Sequence, residues 1–138
     1  RQQISEMADL GIRPEVGFAL DLRKGYLMTL EEPRLSRLFY VVRSIPAIHE
    51  FSLENKRIRL GKFFGDRLTE KEIKLLAIST QGVADSFFQQ QNEGQLDYSA
   101  GFIADFIIKS SLQLIGFSKQ EIEETITEMY QLMANDES

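Results

Sequence analysis

The sequence predicts an all-α fold of six to seven helices packed as a bundle. Three observations carry that reading. Apolar residues recur at three- and four-residue spacing along nearly the whole chain. Prolines and glycines cut the pattern into segments of helical length. Two capping boxes, Thr69–Glu72 and Ser118–Glu121, mark helix starts. No segment alternates apolar and polar residues as a strand does, no two-residue hairpin turn is present, and there is no internal repeat or low-complexity stretch. At 138 residues the chain has room for about one domain.

Arg1 to Leu10 places Ile4, Met7, Ala8 and Leu10 at helical spacing before Gly11, so a short helix, or the end of a longer one, is expected there. Pro14 opens a second helix with Phe18, Leu22, Tyr26 and Leu30 on one stripe; Gly17 and Gly25 weaken it, and it ends before Pro33. Pro33 opens a third, with Leu35, Leu38, Phe39 and Val42 on its apolar side. It stops before Ile45-Pro46 because a residue preceding proline disfavours helical geometry. From Pro46 to about Phe64, Ile48, Phe51, Ile58 and Phe63 alternate with Glu50, Glu54, Lys56, Arg57, Arg59 and Lys62, giving a partly exposed helix with a basic outer face, closed by Gly65 and Asp66.

Thr69 caps a long helix carrying Ile73, Leu76, Thr80, Val83, Ala84, Phe87 and Phe88 to Asn92, with Gly94 as terminator. Asp97 or Ser99 offers the cap of the next helix. Its core, Gly101 to Lys109, is apolar on nearly every side, and Gly116 ends it. The Ser118 box opens the last helix, with Ile122, Ile126, Met129 and Met133 at helical spacing, and the tail Asn135 to Ser138 is expected to fray.

With 43% hydrophobic and 27% charged residues the composition is that of an ordinary globular protein. The absence of cysteine excludes disulfides, thiol nucleophiles, thiolate zinc sites and iron–sulfur ligation, and is compatible with a reduced, cytoplasmic setting. A single histidine, His49, excludes a His-rich metal centre and paired-histidine acid–base catalysis. A net charge of −5 is the wrong sign for a domain that neutralises many phosphates by itself. Apolar runs fall far short of the ~20 residues that span a bilayer, and the first residues lack the apolar core of a signal peptide. A cytoplasmic protein without membrane partners is expected. The chain begins at Arg1, without an initiator Met and already in helical pattern, so we read it as a piece of something longer.

No Gly-rich phosphate loop, G-x-S-x-G elbow, H-E-x-x-H pair or EF-hand loop occurs, so neither an enzyme nor a cofactor- or metal-binding protein is expected. The pairs Glu31-Glu32 and Glu123-Glu124 are adjacent on predicted exposed helix and act as solubilising surface. The basic run Lys56, Arg57, Arg59, Lys62 is a solvated face without the interleaved aromatics of a single-strand nucleic-acid groove.

Two features point beyond a plain core. The segment Phe102 to Leu114 is too apolar for so small a monomer to cover, and in the preceding long helix Leu75, Leu76, Ala77 and Ile78 cover adjacent directions while Gly82 and Ala84 allow close approach. These helices from two chains would form a four-helix homodimer interface through Leu76, Thr80, Ala84, Phe87, Phe102, Asp105, Phe106 and Lys109, with Asp105 and Lys109 paired across one turn. The competing account makes both helices central in a monomer core. Aromatics on several helices, with a few adjacent polar residues, would line a cavity for a small hydrophobic ligand. The candidates are Tyr26, Phe39, Phe63 and Phe88 with Arg43, His49, Gln81 and Asp85. A well-filled core uses the same aromatics, and each polar residue serves equally well at the surface or on a backbone group.

The run from Leu30 through Pro33 to Leu38-Phe39 resembles the junction of helix, short break, proline and Leu-Phe common in the C-terminal half of TetR-type transcriptional regulators. The charged helix, the long capped helix and the apolar helix Tyr98 to Ile115 follow in that family's order. The resemblance implies an effector-binding and homodimerisation domain over residues 1–138, with the last two long helices in a four-helix bundle between subunits and the ligand among the second to fifth predicted helices. DNA would be contacted only by an N-terminal helix-turn-helix domain absent from this sequence, with Arg1 to Leu10 as the connecting lever. Such a domain switches by binding effector better in one subunit arrangement than another. A helical protein–protein adaptor is the alternative, expected to have a solid core and an exposed apolar groove.

Overall fold

Proline at the start opens three successive helices, α1 (Pro14–Glu31), α2 (Pro33–Val42) and α3 (Pro46–Phe64). Its missing amide hydrogen costs nothing there, because no acceptor lies one turn earlier. The computed structural model describes residues 10–137, with side chains through Asn135, so the helix expected over Arg1 to Leu10 lies almost wholly outside the described residues. Three more helices follow, α4 (Glu70–Asn92), α5 (Ala100–Ile115) and α6 (Lys119–Glu137), and the described residues contain no strand. The all-α class and the bundle-like packing are as the apolar spacing requires.

Both capping boxes close. The Thr69 hydroxyl accepts from the Glu72 amide at 3.1 Å while the Glu72 carboxylate accepts from the Thr69 amide at 3.0 Å, and Ser118 and Glu121 repeat the exchange at 3.1 and 2.8 Å. Of the two candidate caps for α5, Ser99 serves, accepting from the Phe102 amide at 3.2 Å. Gly116 ends α5 at φ 118°, a left-handed conformation that disfavours any residue with a Cβ. The α6 helix runs to Glu137, past the point at Asn135 where fraying is expected.

Helix α1 is the axis of the bundle and packs against α2, α3, α5 and α6, while α4 packs against α2, α3 and α5. Its stripe Phe18, Leu22, Tyr26, Leu30 is buried as expected. Phe18 meets Phe64 edge-on with ring centroids 5.0 Å apart, and Phe64 in turn meets Phe117 at 5.7 Å. Each such side chain taken out of water contributes about 1.5–3 kcal/mol. Arg23 of α1, Asp105 of α5 and Tyr130 of α6 tie the other side. The Arg23 guanidinium donates to Asp105 at 3.1 Å and the Tyr130 hydroxyl donates to the second Asp105 oxygen. Asp105 therefore does not pair with Lys109 as its spacing suggests; the partner is a cation on another helix. Burial and the hydrogen bond to Asp105 push the Tyr130 phenol above its usual range.

Two expectations about faces are corrected. In α3 the buried residues are Leu53, Lys56, Leu60, Phe63 and Phe64, whereas Ile48, Phe51 and Ile58 are exposed, so the helix is rotated from the expected phase. The single helix α2 buries only Ser36, and Leu38 and Phe39 remain exposed. Helix α2 is held instead by the Asn92 side-chain amide of α4, which donates to the Ser36 hydroxyl at 2.9 Å and lies 3.3 Å from its carbonyl.

Candidate functional site

Where α2 and the adjoining start of α3 lean across α1 and α4, the packing leaves a cavity of about 240 Å³. Its floor is α1, through Leu22, Gly25, Tyr26 and Thr29, and one wall is α4, through Gln81, Asp85 and Phe88, which recur at i, i+4 and i+7 and so share a face. The opposite wall is α3, with Ser52, Asn55, Lys56 and Arg59, and the cover is Phe39, Tyr40, Arg43 and Ile48. The Tyr26 and Phe88 rings meet edge-on at 5.7 Å.

Several of the polar groups fall into pairs. Arg59 and Asp21 form an ion pair at 2.6 Å across the rim. The Gln81 amide donates to Asp85 at 2.9 Å along α4. Lys56 is 3% exposed, and its ammonium donates to the Tyr26 hydroxyl at 3.0 Å without a carboxylate partner among the described residues. The Arg43 guanidinium stacks on the Tyr40 ring at 4.9 Å, and its Nε is buried with no hydrogen-bond partner.

Of the eight expected ligand residues, the structure brings Tyr26, Phe39, Arg43, Gln81, Asp85 and Phe88 to this cavity. The other two lie elsewhere. His49 is exposed on α3. Phe63 is buried in the core with its ring 5.9 Å from that of Phe18, because the rotated phase of α3 turns it toward α1 and the core. Sequence reasoning missed Lys56, Ser52, Asn55, Arg59 and Asp21. For Lys56 a signal existed: it stands between Leu53 and Leu60 on the stripe that reaches Phe63 and Phe64. A basic residue one helical turn from buried leucines faces inward whatever its charge.

The eight expected interface residues divide as well. Thr80 and Ala84 are buried inside the protomer, with Leu76 and Phe87 packed partly against the same core, so Thr80 and Ala84 are withdrawn from any outer surface. Asp105 is engaged by Arg23. Helix α5 buries Ile103, Ala104, Ile107, Ile108 and Leu112 within the protomer, more than so small a chain was expected to cover. Phe102, at 57% exposure, and Phe106, at 50%, stay outside beside exposed Lys109, with Leu75 and Ile78 of α4 also exposed. Phe106 of α5 meets Phe87 of α4 with ring centroids 5.6 Å apart.

Among the described residues no cluster of His, Asp or Glu has the arrangement to hold a metal ion, and no helix is long and apolar enough to cross a membrane. No protein family, curated protein or solved structure matches the chain.

Proposed function

We propose that this chain is a ligand-sensing and homodimerisation domain, similar in kind to the effector-binding half of a TetR-type regulator, and not a catalyst. The observation that carries the reading is the cavity between α1, α2, α3 and α4, where aromatic and aliphatic walls surround a few polar groups as in small-molecule sites generally. None of those polar groups forms a nucleophile–base pair with an orienting third residue, which is why binding is preferred to catalysis. The adaptor alternative expects a solid core in place of this cavity.

Helix α4 supports the sensing role because it carries two surfaces at once. Gln81, Asp85 and Phe88 face the cavity, while Leu75 and Gly82, seven residues apart, share an adjacent exposed face, and a Cβ at Gly82 would meet nothing within 4 Å. An occupant that presses on α4 alters the face offered to a second copy. Altered subunit spacing would then reach DNA through the N-terminal domain that the resemblance implies.

Native mass spectrometry tests the reading. The expected species is a dimer of 15.9 kDa chains that carries a small bound molecule or takes one up from a ligand library. Gly25 lines the cavity and a Cβ there meets nothing within 4 Å, so Gly25→Leu fills the space without disturbing the helix. It should abolish uptake and leave the dimer intact. A monomer that takes up nothing overturns the proposal.

A further inference from the structure

Lys56 is an ammonium taken out of water, 3% exposed, with one neutral acceptor, the Tyr26 hydroxyl at 3.0 Å. An ammonium has three donors to satisfy, and a buried charge without a counter-ion is costly to keep. It lines the cavity, as does Arg43, whose buried Nε also lacks an acceptor.

The carboxylates of the cavity do not answer these cations. Asp21 is held by Arg59 at 2.6 Å, and Asp85 is turned to the Gln81 amide at 2.9 Å. Three cations, Arg43, Lys56 and Arg59, therefore stand against two carboxylates, leaving one positive charge over. Around them Leu22, Ile48, Phe39 and Phe88 offer apolar surface.

We propose that the occupant of this cavity is an amphipathic monoanion, a carboxylate on an apolar tail, with its headgroup held by Lys56 and Arg43. This rests on the ligand-sensing reading above. The Tyr26 hydroxyl accepts from Lys56 and keeps its own proton to donate, so it can give the carboxylate another hydrogen bond. Charge-assisted bonds of this kind are the strong ones, and the ring faces of Phe39 and Phe88 take the tail. A dianion would overshoot the single excess charge, and a cation would face two arginines and a lysine.

The test is calorimetric titration with octanoate, octan-1-ol and octylamine, three probes with one tail and different heads. Wild-type protein should bind octanoate about tenfold or more tighter than the alcohol. Lys56→Met, which keeps the apolar stem, should bring the two close to equal, and the more exposed Arg43→Gln should reduce the preference even if the first variant folds poorly. Circular dichroism confirms that each variant is helical. Octanol binding as tightly as octanoate, with both variants indifferent, or octylamine binding best, overturns the anion assignment and leaves the cavity reading standing. If none of the three binds, or Gly25→Leu binds them unchanged, both readings fall.

Discussion

Lys56 is where charge and burial conflict most. Its neighbours Leu53 and Leu60 dictate that the position faces inward, and the ammonium keeps a hydrogen bond to Tyr26 with no ion pair among the described residues. Replacing an uncompensated buried charge by an apolar side chain of similar shape commonly stabilises a protein. Lys56→Met is therefore expected to raise the unfolding free energy of the unliganded protein by about 1 kcal/mol, read by urea denaturation. A loss of stability there would mean that the Tyr26 hydrogen bond outweighs the desolvation of the charge. Six of the eight ligand candidates were legible because an aromatic or polar residue beside an apolar stripe has few places to point. Lys56 was not, because its type argued for solvent and only the neighbouring leucines argued for burial. His49 and Phe63 failed through the phase of one helix, where an error of a residue turns a side chain by about 100°.

At the scale of elements, starts and stops were the most legible features. A proline at the first turn, a Ser or Thr with Glu three residues on, and a glycine at the end each act through local chemistry, and these fixed α1 to α5 nearly to the residue. Faces were less legible, since α2 and α3 carry apolar residues on more directions than they bury. The outer face of α4 and α5 supplies a direct check on the proposed homodimer. Phe102→Glu, at an exposed position that the protomer core does not need, should weaken dimerisation about 30-fold or more in sedimentation equilibrium. An unchanged constant would remove this face from the interface. The tie between α1, α5 and α6 makes a separate, pH-dependent prediction. The Tyr130 phenol is raised from its ordinary 10.0, so its neutral form is favoured in the folded protein. The stability it contributes is complete below the ordinary value and is lost as pH rises through the folded one. Tyr130→Phe should flatten this alkaline loss, and a thermal-melt series in which both proteins fall together would assign the loss to other groups.

In the whole molecule, α1 stands at the centre and α4 between cavity and outer face, so the proposed ligand and subunit contacts would be parts of one equilibrium. If an occupant favours one subunit arrangement, linkage requires that dimerisation change its affinity by the same factor. Octanoate titrated into dilute and concentrated protein should thus give different affinities, by about 5–150-fold for ordinary coupling. Identical affinities across the dimer's dissociation range would mean that cavity and face are independent. The bundle itself was legible from periodicity alone. The division of its apolar surface between core and exterior was not, because an apolar helix reads the same whether its neighbour belongs to its own chain or to another.

The attachment of α2 has a kinetic consequence. This helix closes the cavity yet buries a single residue, Ser36, and two side chains hold it at the end of α4: Asn92 donates to Ser36, and Glu93 accepts from the Tyr40 hydroxyl at 3.4 Å. Elements with so little buried surface open locally at a free energy well below that of global unfolding. The amides of α2 should exchange with deuterium ahead of those in α1, and Asn92→Ala should speed them further. A bound molecule would escape by that same opening. Its residence time would then be governed by two side chains at the end of α4, Asn92 and Glu93, that do not line the cavity, while its equilibrium affinity is governed by the groups that do.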